Sequence, residues 1–252
     1  MRNKFNVLAS VGLLVMSVQA SAVQMSGTVA VTSDYLVDGV TQTNNDPALQ
    51  LGLTAAFDSG LYMYVWGSQV DFGTGFKSNA ETDWAIGYAG GGDNVSFDVA
   101  LIGYLYLPNG DSFNFAELSG AITAYDTTFK ALLSNSYAGS GIASARLKLN
   151  HSFAINDSWS VPLELGYDVF ADPFDFGYAI SDGYGYYKLG LGYTIKNWSF
   201  EASWNQSSLK AYPGVEKKTV SENGNFVFMI TYAFDIGMQP VMEETPDMAH
   251  DQ

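Results

Sequence analysis

Trp198-Ser199-Phe200-Glu201-Ala202-Ser203-Trp204-Asn205 alternates without a break. Trp198, Phe200, Ala202 and Trp204 share one face, and Ser199, Glu201, Ser203 and Asn205 share the other. A period of two residues is the signature of a strand with one apolar and one polar side. The pair Lys196-Asn197 precedes it as a tight turn, and 184–195 reads as a strand on the far side of that turn.

The same pattern recurs along the chain. Strands are expected near 25–35, 48–57, 61–70, 82–89, 95–106, 115–125, 128–135, 143–154, 159–170, 184–195, 198–206 and 225–234. In 159–170, Trp159, Val161, Leu163, Leu165, Tyr167 and Val169 oppose Ser160, Glu164 and Asp168; in 143–154, Ala145, Leu147, Leu149 and Phe153 oppose Ser144, Arg146, Lys148 and Asn150. The stretch 61–70 is apolar on both sides and cannot be oriented from sequence. Most strands are close to the roughly 9–11 residues that a tilted membrane strand needs.

The connections alternate in length. Asp58-Ser59-Gly60, residues 90–94, Asp126-Thr127, Asn156-Asp157-Ser158 and Lys196-Asn197 are short turns. The intervening segments 36–47, 71–81, 107–114, 136–142, 171–183 and 207–224 are longer. Short turns on one side and long loops on the other are what outer-membrane barrels show, whereas a Greek-key sandwich has no reason to keep that parity. The expected fold is an all-β, transmembrane, antiparallel up-and-down barrel of about twelve strands. The even count puts both termini on the periplasmic side.

The N-terminus supports export. Arg2 and Lys4 precede the uncharged apolar run Val7–Val18, and Ala20-Ser21-Ala22 supplies a small-residue cleavage pattern. Residues 1–22 read as a signal peptide cleaved near Ala22, the run being too short for a spanning helix of ~20 residues. Residues 23–235 read as the barrel and 236–252, with Pro240, Pro246 and several acids, as an acidic disordered tail. The expected location is the cell outer membrane of a Gram-negative bacterium.

The chain has 26 acidic and 11 basic side chains, a net charge of −15. Two of the bases, Arg2 and Lys4, lie in the leader, so the remainder carries −17. Such a surface is a poor match for nucleic acid. There are no cysteines, which excludes disulfides, thiol chemistry and cysteine metal sites. Mean hydropathy is near neutral at +0.03 although aromatic residues make up 15% of the chain, as expected when alternate residues face lipid.

Charges within strands fall on the polar faces: Asp34, Asp83, Asp98, Glu117, Lys130, Arg146, Lys148, Glu164, Asp168, Lys188 and Glu201. An Arg or Lys facing lipid at the midplane would cost about 2–4 kcal/mol. These eleven residues are the candidate pore lining. Lys148 and Glu164, nearly equidistant from the 156–158 turn, could meet as a salt bridge, and Asp98 and Glu117 should share the interior face. The seven acids against four bases would favour cations modestly.

Ser33-Asp34-Tyr35, Asp38-Gly39, Thr41-Gln42, Asp46-Pro47-Ala48-Leu49-Gln50 and Gly52, followed by Ser59-Gly60-Leu61-Tyr62, Val65-Trp66-Gly67-Ser68 and Val70-Asp71-Phe72, resemble the TorF-type porin family, also described as Gcw_chp, a bacterial family of unknown function. Tyr104, Tyr106, Pro108 and Glu117 fit more loosely. Members often carry an Arg before the loop glycine, where this chain has Leu36, Val37 and Asp38. The resemblance implies an outer-membrane barrel with a porin role. In purely physical terms, Asp38-Gly39 and Asn44-Asn45-Asp46-Pro47 are turn chemistry. The acids of this loop and Asp71 could alternatively hold a cation.

Three functions compete. The leading expectation is a porin-like channel passing small hydrophilic solutes, embedded in outer-membrane lipid and without a cofactor, metal or catalytic role. The 171–183 and 207–224 loops are long enough to fold in and narrow it. The second is a non-conducting structural or adhesion barrel acting through its external loops. The third, a lipid hydrolase, would have to use His151, since His250 lies in the tail; Ser152 beside His151 points to the opposite face.

Overall fold

In the computed structural model, residues 23–73, 77–92, 94–108, 113–175, 179–180, 182–210 and 220–237 are described. Residues 1–22, expected to be a signal peptide, and 238–252, most of the expected acidic tail, lie outside them. Twelve long strands are present: β1 (Val23–Thr32), β2 (Ala48–Phe57), β3 (Leu61–Gln69), β4 (Ala80–Gly91), β5 (Val95–Leu107), β6 (Phe115–Ala124), β7 (Thr127–Ser134), β8 (Ser144–Ala154), β9 (Trp159–Phe170), β10 (Gly183–Ile195), β11 (Trp198–Ser207) and β12 (Asn225–Ile236). Each pairs antiparallel with its neighbours in sequence, and β1 pairs with β12, running from Met25↔Ile236 to Thr32↔Met229. The barrel is therefore closed and up-and-down, as the alternation predicts. Closure leaves no strand edge unpaired, which lipid requires.

The strand ends move by a few residues. β1 stops at Thr32, so Asp34 lies beyond it, and β4 begins at Ala80, which brings Glu81 into the wall. The turn expected at Asp126-Thr127 is Tyr125-Asp126, with φ of 47° and 64°. Two positive φ values give the turn whose twist matches a hairpin. β3 is now oriented: Tyr62, Tyr64, Trp66 and Ser68 point inward, while Leu61, Met63 and Val65 are about half exposed on the outside.

The outer surface is apolar on every strand. Val31, Leu51, Val65, Ile86, Leu101, Ile122, Leu133, Leu165, Leu189, Phe228 and Ile230 are among its exposed side chains. A continuous belt of this kind far exceeds the isolated patches that water-soluble proteins tolerate. Outward aromatic pairs ring the short-turn end, with centroid distances of 4.7 Å for Trp159–Tyr193 and 4.8 Å for Trp198–Tyr232. Trp204 and Phe226 mark the long-loop end. Two girdles flanking an apolar band are the membrane-interface pattern.

Leu101→Arg, on the outer face at the centre of β5, is expected to lower barrel stability in lipid vesicles by about 2–4 kcal/mol. Thr231→Arg, on the inner face of β12, should change it by less than about 1 kcal/mol, because the charge enters the lumen. Equilibrium urea unfolding from vesicles reads both.

Candidate functional site

The site begins in the first long loop. Leu36–Val37 and Val40–Thr41 form a miniature hairpin whose turn is Asp38-Gly39, with φ of 53° and 80°. A Cβ on Gly39 would sit 2.7 Å from Cβ of Ser207, so the close approach also demands glycine. Asp34 anchors the hairpin base. Its Oδ1 accepts from the hydroxyls of Thr41 at 2.5 Å and Thr43 at 3.0 Å, and its Oδ2 accepts from Asn225 Nδ2 on β12 at 2.6 Å. On the other flank Val40 bridges to Val220, and Ser221 N donates to Gly39 O at 2.9 Å. Val40, Val220, Leu209, Phe170, Tyr184 and Tyr186 form a buried apolar cluster over this part of the lumen.

The tip of the hairpin reaches the opposite wall. β8 lies five strands from β1 one way round the ring and seven the other. There Arg146 Nη1 donates to Asp38 Oδ2 at 2.5 Å, and Lys148 Nζ donates to Asp38 Oδ1. The other side of the guanidinium meets Glu117 of β6 as a fork, with Nε donating to Oε1 at 3.0 Å and Nη2 donating to Oε2. Tyr104 of β5 donates to Glu117 Oε2 at 2.8 Å. Arg146 also lies 5.7 Å from the Tyr137 ring centroid, and Lys148 Nζ 5.6 Å from that of Tyr186. Tyr186 lies over Gly166, its cross-strand neighbour, where a Cβ would come within 2.0 Å of the ring.

Asp38 and Glu117 side chains are fully buried and Arg146 is 4% exposed. Buried charges persist only when paired and hydrogen-bonded, and the planar guanidinium can serve two carboxylates at once. Burial alone would raise the Asp38 pKa, but the charges of Lys148 and Arg146 outweigh it and hold the carboxyl well below the usual range.

The remaining candidates also take defined positions. Asp83, Asp98, Lys130, Glu164, Asp168, Lys188 and Glu201 sit on inward positions of their strands. Asp34 does not; it is the loop anchor just described. Asp168 is fully buried and stands opposite Arg146 in register. The Lys148–Glu164 bridge expected from sequence does not form: Lys148 faces Gly166 and bonds to Asp38, while Glu164 lies opposite Lys188. Lys188 pairs instead with Glu201 at 3.1 Å. Glu117 lies opposite Ile102 and Asp98 opposite Ala121, so the two acids share a face without meeting.

Sequence reasoning read Asp38 as turn chemistry or as part of a cation-holding loop and missed its ion pairs across the lumen, and it missed Glu81, which fell just outside its expected strand. Residues 176–178 and 181 of the 171–183 segment and 211–219 of the 207–224 segment, the two expected to narrow the lumen, lie outside the described residues; among those described, the first loop spans the lumen, with Leu209 and Val220 packed against it. His151 faces outward, its Nδ1 2.8 Å from the Thr127 hydroxyl and its ring against Phe153. The first and second long loops touch, with Asp71 N donating to Gln42 O at 2.7 Å. Among the described residues no three His, Cys, Asp or Glu side chains converge as a metal site.

Between the hairpin and the wall of β4–β8 lies a cavity of about 320 Å³, bordered by Tyr35, Tyr104, Tyr106, Phe115, Lys130 and Arg146 among others.

A closed strand ring with an oily exterior, an ionised interior and a loop hairpin across one mouth defines a membrane-spanning β-barrel of the outer-membrane kind. The chain belongs to the family described as bacterial protein of unknown function (Gcw_chp), which it matches over residues 17–234. No curated protein is similar to it in sequence. Among solved structures, the NanC porin in a rhombohedral crystal form superposes with a TM-score of 0.50 at 10% identity, over 85% of this chain and 100% of that one. The KdgM porin gives 0.49 at 12% identity, over 83% and 99%. These likenesses are of fold.

Asp38→Ala is expected to leave Arg146 and Lys148 without a shared counter-ion and to weaken hairpin docking by about 3–5 kcal/mol. Faster hydrogen exchange at the 36–41 amides reads this directly. A depressed carboxylate stabilises above its unfolded pKa and loses that contribution only as pH falls through the folded value. The wild-type hairpin should therefore keep its protection down to pH 4.

Proposed function

We propose that the barrel is an outer-membrane channel for passive diffusion of small hydrophilic solutes, with a weak preference for cations. The observation that carries this reading is the size of the inward side chains toward the short turns. The larger inward side chains there, such as Tyr62, Asp98 and Glu201, are outnumbered by Ser96, Ala121, Thr123, Thr128, Ser152, Ser160, Gly190, Gly192 and Thr231. Such residues are too small to fill a twelve-stranded ring, whereas narrower barrels are plugged by their own side chains.

Inward acids outnumber inward bases. Glu81, Asp83, Asp98, Glu117, Glu164, Asp168 and Glu201 stand against Lys130, Arg146, Lys148 and Lys188. Rings of carboxylates favour cations, and the acids that no base neutralises give this lumen its sign. In this reading Asp83, Asp98, Lys130, Glu164, Lys188 and Glu201 line the water path. Glu117, Arg146, Lys148 and Asp38 set its narrowest point, while Asp34 holds the hairpin in place. The apolar leader-like segment 1–22 fits export, and the even strand count fits periplasmic termini on the short-turn side. The resemblance of residues 30–72 to TorF-type porins fits the same reading.

The latched hairpin favours a second reading, a barrel that stays shut and works through its external loops. Single-channel recording in planar bilayers separates the two. The channel reading expects discrete current steps and a reversal potential displaced toward cations in a salt gradient. Replacing Leu36–Thr41 with two glycines should raise conductance by roughly twofold or more, because the hairpin is the constriction. Glu164→Gln with Glu201→Gln should reduce the cation preference. A folded barrel that passes no current, with or without the hairpin, would leave the second reading.

A further inference from the structure

Lys130 is the inward base that the site leaves without a counter-ion. It stands directly opposite Lys148 in the β7–β8 register, and the next inward position on β8 is Arg146. Like charges placed opposite each other repel. Lys148 and Arg146 are neutralised by Asp38 and Glu117. Lys188, further along the wall, has Glu201. Among the described residues Lys130 forms no ion pair and no hydrogen bond. Asp98 and Glu117 act on it only from beyond salt-bridge distance.

Its side chain borders the cavity of about 320 Å³ beneath the hairpin. Aromatic rings form one side of that space. Tyr104 and Phe115 stack with centroids 4.3 Å apart, Phe115 meets Tyr137 edge-on at 5.5 Å, and Phe72 meets Tyr106 edge-on at 5.7 Å. A pocket that combines a ring-lined side with an unpaired ammonium has the form of a small-molecule site, and the volume lies at the lower end of the usual ~300–1,000 Å³.

We infer that this cavity binds small aromatic carboxylates, the carboxylate on Lys130 Nζ and the ring among Tyr104, Tyr106 and Phe115. An ammonium group offers three donors to an anion, and offset or edge-on ring contacts add to the burial of apolar surface. The tyrosine hydroxyls are already spent: Tyr104 donates to Glu117 and Tyr106 donates to Glu81 at 3.0 Å. The ring-lined side therefore has little left for a polyhydroxylated acid, which would lose its water there without replacement bonds, while the polar lining of Thr41, Gln42, Asn44 and Asp71 comes from the two long loops. A short aliphatic acid would satisfy Lys130 and leave the rings uncovered. This deepens the channel reading and rests on it for its role, although binding is measured independently of current.

The test is equilibrium dialysis of labelled benzoate against the folded full chain in detergent micelles. Saturable binding is expected, with acetate and gluconate competing at least tenfold less well. Lys130→Met should weaken benzoate roughly tenfold or more. Phe115→Leu should weaken benzoate and leave the weak acetate competition unchanged. Unaltered affinity in Lys130→Met, or acetate or gluconate competing as well as benzoate, overturns the assignment. If Lys130→Met does not fold, as read by circular dichroism, the Phe115→Leu and competitor results decide it. A barrel that binds benzoate and never conducts would keep the site and remove the channel; one that conducts and binds no benzoate would do the reverse.

Discussion

Ring closure between β1 and β12 is the constraint on which everything else depends. In hydrocarbon, a backbone N–H or C=O has no water to fall back on, and each unsatisfied group costs several kcal/mol. A sheet of any strand number with two free edges would expose a row of them. Eight consecutive residue pairs, from Met25↔Ile236 to Thr32↔Met229, remove that row. Once the ring is closed, alternation does the remaining work. Every outward position can be oily and every inward one polar, because the two sets never exchange faces without a register slip.

Closure also creates the space that the first loop enters. A twelve-stranded ring is wide enough to take an inserted element. The hairpin at Leu36–Thr41 supplies one using two carboxylates with opposite jobs. Asp34 stays at the rim and gathers neutral donors from Thr41, Thr43 and Asn225. Asp38 crosses the lumen and meets Arg146 and Lys148. The second contact is strong for the same reason that its loss would be damaging: the low-dielectric setting magnifies both a satisfied and an orphaned charge. Glu117 on the other side of the guanidinium balances Arg146, so the fork is committed in two directions and has little freedom to swing.

The interior is also graded along its axis. Charged and aromatic side chains crowd the long-loop third, and toward the short turns small residues outnumber the larger ones such as Tyr62, Asp98 and Glu201. Tyr186 lying flat on Gly166 shows how the crowding is accommodated, with a missing Cβ making room for a ring against the wall. The grading leaves Lys130 at the boundary, level with Lys148 of the latch and bordering the cavity.

The sequence alone determined the strand count, the closed architecture, the alternation of short turns and long loops, and the inward direction of every charge it placed within a strand except Asp34, which lies in the loop. These are local properties, written in a two-residue period and in turn chemistry such as Asn156-Asp157-Ser158 and Lys196-Asn197. The face of β3 was hidden because tyrosine and tryptophan suit a lumen and a lipid surface equally well. Only the tertiary structure decided which loop enters the barrel and which charges meet there. Asp38 and Arg146 are 108 residues apart in the chain, and nothing in the spacing of either marks the other. Even nearby partners depended on register: Lys148 and Glu164 seemed matched by their distance from a turn, yet ladder pairing set Gly166 opposite Lys148 and left it for Asp38. Periodicity fixes the side toward which a residue points, while long-range closure of the ring fixes what it finds there.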